Sequence, residues 1–193
     1  QNAHRVGYGP IPLEQSHNAS SNVIISRTIS HAYGDNPGKY VDKLYKMGLN
    51  EPFELYIPGA AKPWIRHPND KSAYWSATTL PWMSIGYEVQ IPPIYTLAFY
   101  NAIANNGKYI EPLFVKSINK NGLVVREFKA RVINSQICKP STLKDVRQAL
   151  LGVVENPKYG TGKVVHSPYI RIAGKTGTAQ ISKGSAGYSA GGK

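Results

Sequence analysis

The sequence predicts an α+β fold contained in one domain. Segments with apolar residues at helical spacing alternate with short extended runs, and no internal repeat is present. The 193 residues, with 41% hydrophobic content, are enough to form one ordinary hydrophobic core. We therefore expect helices and strands packed into a single domain.

Four segments carry helical patterns with recognisable ends. The first begins near the serines at residue 20 and stops at Gly34, and the second stops at Gly48, because glycine readily adopts the conformation that ends a helix. The third begins with two prolines at 92 and 93 and closes on Asn-Asn-Gly. The fourth has Ser141 as its predicted N-cap. Its apolar face consists of Leu143, Val146, Leu150 and Val153.

Extended segments are predicted mainly in the second half of the chain. Residues 109–118 and 123–130 are predicted to pair as a hairpin, because an Asn-Lys-Asn-Gly turn signal separates them. A further strand is predicted over 169–181, and the Gly/Ser-rich tail over 182–193 is expected to be mobile. The stretch 50–90 is rich in proline, tryptophan and tyrosine and lacks a clear period, so we expect irregular surface or a lid.

The charge of the chain restricts its partners. Lysine and arginine number 23 against 11 acidic residues, which gives a formal net charge of +12. The basic residues are scattered and form no recognisable nucleic-acid-binding module, so we expect no nucleic-acid partner. The same charge suits an acidic cell-envelope polymer or lipid head groups.

No cofactor or metal is expected. The single cysteine, Cys138, has no partner for a disulfide, and the five histidines are too far apart to match a metal-site pattern. The glycine-rich segment 159–163 predicts a loop, and it lacks the full spacing of a phosphate loop.

The segment Ala-Gly-Lys-Thr-Gly-Thr-Ala-Gln-Ile, residues 173–181, places polar groups within a predicted strand. Lys175 offers a positive charge, Thr176 and Thr178 offer hydroxyls, and Gly177 lets another molecule lie close to the backbone. These groups suit a strand edge that binds an extended peptide ending in a carboxylate. By itself, Lys-Thr-Gly more often marks a surface strand with a glycine bulge, so a second element has to support this interpretation.

Ser-Ser-Asn at residues 20–22 is that second element. The motifs S-x-x-K, S-D-N and K-T-G occur together in penicillin-binding proteins and serine β-lactamases, and S-S-N precedes K-T-G in the same order here. With the flanking segments 7–15, 75–118 and 170–181, the chain resembles the transpeptidase domain of class B penicillin-binding proteins over nearly its whole length. Its middle segment is most similar to the division-type, FtsI-like enzyme of septal wall synthesis.

The resemblance implies a particular version of the α+β fold. It is the serine β-lactamase/transpeptidase-like fold, in which a five-stranded antiparallel sheet is flanked by helices and a helical subdomain holds S-x-N. Residues 1–193 would form a partial transpeptidase domain, incomplete at both ends.

The resemblance also implies roles for the motif residues. Ser20 would relay a proton between the nucleophile, a lysine and the leaving amine, and Asn22 would hydrogen-bond the acyl chain of the substrate. Lys175 would hold the serine hydroxyl and attract the terminal carboxylate of a stem peptide or β-lactam.

The residues after Lys175 would contact the ligand directly. The hydroxyls of Thr176 and Thr178 would surround its carboxylate, and the Thr178 N–H would form half of an oxyanion hole. Gly177 would leave space for the ligand backbone.

The implied reaction is peptidoglycan cross-linking by a serine-type D,D-transpeptidase. An acyl-serine intermediate would form as a terminal D-Ala-D-Ala bond breaks, and the acyl group would pass to the amine of a neighbouring strand. The implied partners are peptidoglycan stem peptides, β-lactam antibiotics and, in the parent protein, a septal glycosyltransferase with other division proteins. The implied location is the periplasmic face of the inner membrane, with an anchor helix outside this chain.

The chain departs from the family pattern at the nucleophile. S-x-x-K should precede S-x-N, but the 19 residues before Ser20 contain no match, so we expect the chain to be an inactive internal fragment. Two matches, at Ser117 and Ser141, fall in the wrong chain order. Ser-His-Asn at 16–18 is a rival for S-x-N, and we prefer 20–22 because the apolar Val-Ile-Ile run follows it.

Three other interpretations remain open. The chain could be a β-lactamase or D,D-carboxypeptidase relative, although it offers no assignable carboxylate base for deacylation. It could be a non-enzymatic penicillin sensor or wall-binding module that retains S-x-N and K-T-G without a nucleophile. A basic nucleic-acid binder is the last alternative, for which salt-dependent binding of DNA would be the test.

Overall fold

The computed structural model describes residues 7–72, 74–178, 180–182 and 188–190. By its internal contacts the chain divides into two compact units, residues 22–147 and residues 2–21 together with 148–193. The helices are α1 Leu13–Asn18, α2 Asn22–Tyr33, α3 Gly38–Met47, α4 Thr79–Met83, α5 Pro93–Ala104 and α6 Pro140–Glu155. The strands are β1 Trp64–Ile65, β2 Val89–Gln90, β3 Tyr109–Ile110, β4 Ser117–Lys120, β5 Leu123–Glu127, β6 Val132–Asn134, β7 Gln180–Ser182 and β8 Tyr188–Ala190.

The predicted helices form close to their expected bounds because local signals define their ends. Gly48 closes α3 in the left-handed conformation, with φ 92° and ψ 14°, and backbone N–H groups at this cap donate to the carbonyls of Leu44 and Tyr45. Pro93 is the first residue of α5, where a missing N–H costs nothing. The prediction for Ser141 is wrong in detail, since α6 begins at Pro140 and Ser141 lies in its first turn instead of at its N-cap.

Within the described residues the strands pair as four two-stranded antiparallel ladders: β1 with β2, β3 with β6, β4 with β5, and β7 with β8. The hairpin of β4 and β5 turns at Asn121 and Gly122, whose φ values of 50° and 79° are those of a tight two-residue hairpin turn. Its surface is open, with Leu123, Val124 and Val125 exposed by 74%, 63% and 64%.

Two strand predictions differ from the structure. The first hairpin strand was expected over 109–118, but β3 ends at Ile110 and pairs with β6, since Pro112 lacks the N–H that would continue a ladder. The strand expected over 169–181 is confined to β7, and residues 171–178 adopt no regular secondary structure. A strand requires a hydrogen-bonded neighbour, and no ladder reaches 171–178 within the described part of the chain.

The first unit, residues 22–147, has its own apolar core. Val41 of α3, Ile65 of β1 and Met83 of α4 are buried together. The side chains that pack on them are partly buried: Tyr40, Leu44, Tyr45, Leu49, Trp75, Val89 and Ile91. The stretch 50–90, expected to be irregular, thus contributes β1, β2 and α4 to this unit.

The second unit is built around the C-terminal part of α6. Leu150, Val153 and Val154 are buried there, and the N–H of Gly162 donates to the Val153 carbonyl at 2.8 Å. The tail expected over 182–193 includes the end of β7 and all of β8, while 183–187 and 191–193 lie outside the described residues; its mobility stays a prediction. None of the helices described is long and apolar enough to cross a membrane.

Candidate active site

A short turn after α1 presents Ser20. The N–H of Ser20 donates to the His17 carbonyl at 3.0 Å, and the N–H of Ser21 donates to the Ser16 carbonyl at 2.9 Å. Ser20 has φ 52°, in the left-handed region that a residue with a β-carbon rarely occupies. The flanking hydrogen bonds hold this unfavourable conformation.

Lys175 approaches this hydroxyl from the other end of the chain. Its Nζ donates to Ser20 Oγ at 2.7 Å, to the Thr176 carbonyl at 3.1 Å and to Thr176 Oγ1 at 3.4 Å. The bond to Ser20 joins residues 155 positions apart. The structure therefore brings the first residue of S-S-N and the first residue of K-T-G into direct contact.

The segment that carries Lys175 is fixed to the second unit at two points. The N–H of Gly174 donates to the Leu150 carbonyl of α6 at 3.1 Å. Thr161 makes the second attachment, since its hydroxyl lies 2.9 Å from Thr176 Oγ1 and 3.2 Å from the Asn18 carbonyl. Thr161 thus links the residue after Lys175 to the helix before Ser20.

The rival motif Ser-His-Asn at 16–18 has a structural role. Ser16 is fully buried and its hydroxyl donates to the Leu13 carbonyl at 2.6 Å. Asn18 is 1% exposed, and with its amide suitably oriented Nδ2 donates to the Glu14 and Ala149 carbonyls, each at 3.0 Å. Both polar side chains are thus buried and hydrogen-bonded to backbone carbonyls.

Burial lowers the pKa of the two titratable groups near Ser20. Loss of hydration lowers the pKa of Lys175 from its usual value. Burial also lowers the pKa of His17, the positive charge of Lys175 lowers it further, and a hydrogen bond to the Ala149 backbone opposes both effects. Burial thus disfavours the charged form of both groups, and the nearby Lys175 further favours the neutral imidazole of His17.

The remaining predicted site residues differ in exposure and in the unit to which they belong. Thr176, Gly177 and Thr178 are exposed, and a β-carbon added to Gly177 would meet no atom within 4 Å. Asn22, half-buried, is the first residue of α2 and belongs to the first unit. Ser117 on β4 and Ser141 on α6 also belong to the first unit, whereas Ser20 and Lys175 belong to the second.

Two residues of the site were not found from the sequence. Thr161 sat in a segment interpreted only as a glycine-rich loop, and His17 lay inside the rival motif. No cluster of three or more His, Cys, Asp or Glu side chains able to hold a metal occurs within the residues the structure describes.

The chain is similar in sequence to known proteins. Residues 1–192 match the family model described as the penicillin binding protein transpeptidase domain. The penicillin-binding protein PbpB of Mycobacterium tuberculosis is 31% identical over 149 residues, which cover 75% of this chain and 21% of PbpB. The peptidoglycan D,D-transpeptidase MrdA of Salmonella typhimurium is 31% identical over 136 residues, which cover 69% of this chain and 21% of MrdA.

A solved structure agrees with these relatives. Penicillin binding protein 3 from Mycobacterium tuberculosis, complexed with ampicillin, superposes with a TM-score of 0.78 at 30% identity, over 97% of this chain and 41% of that one. The chain belongs to the penicillin-binding protein transpeptidase family. The predicted fold class and the resemblance to class B, FtsI-like members are confirmed. The chain spans about a fifth of the length of the two curated relatives.

Proposed function

We propose that the chain supplies the S-x-N and K-T-G elements of a peptidoglycan D,D-transpeptidase. The observation that carries the proposal is the 2.7 Å hydrogen bond from Lys175 Nζ to Ser20 Oγ. A lysine that holds a serine hydroxyl offers both a proton path and a fixed positive charge, the two functions that acyl transfer to and from a stem peptide needs. The relatives named above, one of them a peptidoglycan D,D-transpeptidase, support the same reaction.

In the proposed reaction a nucleophilic serine outside the matched motifs attacks the carbonyl of the penultimate D-alanine. The bond to the terminal D-alanine breaks, and its amine leaves with a proton that Ser20 relays. The amine of a neighbouring stem peptide then attacks the acyl-serine ester and restores the serine hydroxyl. A β-lactam undergoes only the first, acylating half of the reaction and stays attached to the nucleophilic serine.

Each motif residue has a proposed role in this reaction. Lys175 attracts the ligand carboxylate, and the hydroxyls of Thr176 and Thr178 hydrogen-bond it at the exposed surface of the segment. The Thr178 N–H contributes to the oxyanion hole, and Asn22 binds the acyl chain. The open space over Gly177 admits the ligand backbone.

The setting of the protein is proposed from the family. We assign it to the periplasmic face of the inner membrane, working with a septal glycosyltransferase in cell division. The chain without an S-x-x-K serine would be inactive alone. The ampicillin complex of a related protein supports binding of β-lactams.

The test is the rate of covalent acylation by penicillin, read by intact mass, in the complete natural protein that contains this chain. Lys175→Ala and Ser20→Ala should each slow acylation by a factor on the order of 10² or more, the usual contribution of proton transfer and charge stabilisation. The control Lys163→Ala removes an exposed lysine of the same unit, whose Nζ donates to the Pro157 carbonyl at 2.8 Å, and should acylate at the wild-type rate.

The same experiment separates the alternatives. An adduct that forms and then hydrolyses would indicate a β-lactamase or carboxypeptidase. Reversible penicillin binding without an adduct would indicate a sensor or wall-binding module. Wild-type acylation by both Lys175→Ala and Ser20→Ala would refute the proposed roles of these residues.

A further inference from the structure

A buried ring nitrogen lies beside the Lys175–Ser20 pair. His17 is in the last turn of α1, and its Nδ1 is buried and has no hydrogen-bond partner among the described residues. The His17 carbonyl accepts the N–H of Ser20, so backbone and imidazole belong to the turn that presents the serine hydroxyl. The proposed reaction assigns no task to this side chain.

The position of Nδ1 disfavours protonation of the ring. A charged imidazolium carries a proton on both nitrogens, so Nδ1–H would be a buried donor without an acceptor. Burying such a donor costs the full desolvation of the group. The burial of Nδ1 without an acceptor among the described residues therefore favours the neutral ring over the charged one.

The charges around His17 act in the same direction. The positive charge of Lys175, in the K-T-G segment, lowers the pKa of the His17 ring. A hydrogen bond with the backbone of Ala149, in α6, raises that pKa. Glu14, one turn earlier on α1, is exposed. The neutral imidazole thus coexists with the Lys175 ammonium, whereas an imidazolium would repel it.

We propose that His17 is a positioning residue: its neutral ring allows Lys175 to stay on Ser20, and its protonation in acid displaces Lys175 from that hydroxyl. This inference rests on the proposed function of Lys175 and Ser20. It makes acylation sensitive to pH below the ordinary histidine pKa of 6.5, since the ring gains its charge only there.

The test is the pH profile of penicillin acylation in the complete natural protein. Each variant is measured from pH 8 to pH 5 and normalised to its own rate at pH 8. His17→Asn keeps a polar, neutral group at the position of Nδ1, and the control His166→Asn makes the same replacement at an exposed histidine of the same unit. The wild type and His166→Asn should lose rate together in acid, and His17→Asn should retain several-fold more of its rate at pH 5.

A second readout does not require the variant to fold well. Histidine-selective NMR of the wild type should show one imidazole resonance that titrates below pH 6.5. That resonance is assigned to His17 by its absence from the His17→Asn spectrum or through its neighbours. In Lys175→Met this resonance should titrate at higher pH, because the neighbouring charge is gone.

The outcomes separate this inference from the proposed function. Loss of acylation in Lys175→Ala, together with superimposable pH profiles for His17→Asn and the wild type, overturns the role of His17 and leaves the proposed function standing. Wild-type acylation in Lys175→Ala overturns the proposed function itself. A His17 resonance that titrates at the same pH in the wild type and Lys175→Met also overturns the inference.

Discussion

The buried amide of Asn18 fills the space beside Gly152 of α6. A β-carbon at residue 152 would overlap this amide, with Asn18 Cγ only 2.9 Å away. Asn18 is also hydrogen-bonded to Glu14 and Ala149, so its side chain is not free to move aside. The close approach of α1 and α6 within the second unit depends on the absence of a side chain at this position.

Gly152→Ala should therefore destabilise the protein even though alanine favours helices. We expect a loss of about 1–3 kcal/mol in the free energy of unfolding, the usual cost of forcing an extra carbon into a packed core. Gly38→Ala is the matched control, since its β-carbon would make only ordinary contacts of 3.5 Å and beyond. Urea unfolding of both variants measures the difference, and equal stabilities would contradict the proposed packing role.

Thr161→Val should weaken the attachment of the K-T-G segment. The substitution keeps the shape of the side chain but removes the hydroxyl that contacts the Asn18 carbonyl and Thr176 Oγ1. We expect a loss of about 1 kcal/mol in unfolding free energy and a slower penicillin acylation, because the residue after Lys175 is held less firmly. Thr28→Val, at an exposed position of α2, serves as the control. Unchanged acylation would show that the Thr161 hydroxyl does not position Thr176.

Gly177→Val should slow acylation while leaving the stability of the fold unchanged. A β-carbon at residue 177 would meet nothing within 4 Å, so the melting temperature should change little. Acylation should slow, because the added side chain would occupy the space proposed for the ligand backbone. Gly174→Val tests whether any branched residue in this segment has the same effect, since its β-carbon also meets nothing within 4 Å. Acylation slowed equally by both variants would argue against a specific role for Gly177.

Stability should fall as the pH drops below about 6.5, in part through His17. Its pKa in the folded protein lies below the value of 6.5 expected when unfolded. Between these two pKa values the unfolded state binds more protons, so the free energy of unfolding decreases as the pH falls through this window and levels off below the folded pKa. Urea midpoints at pH 7.5 and 5.5 measure the change. His17→Asn should reduce that difference and His166→Asn should not, and the opposite pattern would rule out His17 as a source of the pH dependence.

Elements with strong local signals were predictable from the sequence. Gly48 ends α3 and Pro93 begins α5 as their residue types indicate, and Asn121-Gly122 forms the turn of the β4–β5 hairpin. In each case the signal and the structure it determines lie within a few residues. Local conformational preference is then enough to decide the outcome.

Features that depend on distant partners were not predictable in this way. The K-T-G segment has the composition of a strand, but residues 171–178 have no ladder because a strand forms only against a neighbour. The contact between Lys175 and Ser20 was expected solely from the resemblance to a family, since no spacing rule connects residues 155 positions apart. Thr161 matched no motif, and His17 occupied only the variable position of the rival S-x-N. Their contacts in three dimensions are what connect them with the pair.

The open β4–β5 hairpin affects how copies of the protein behave in concentrated solution. Leu123, Val124 and Val125 are exposed on a ladder of two strands. The free edges of such a ladder can pair with strands of another copy. Lys120 and Arg126, paired across the same hairpin with Leu123 and Ile118, put like charges on any two copies that approach. Added salt shortens the range of this repulsion, from about 10 Å at 0.1 M to about 3 Å at 1 M, so colloidal solubility should be greatest in dilute buffer.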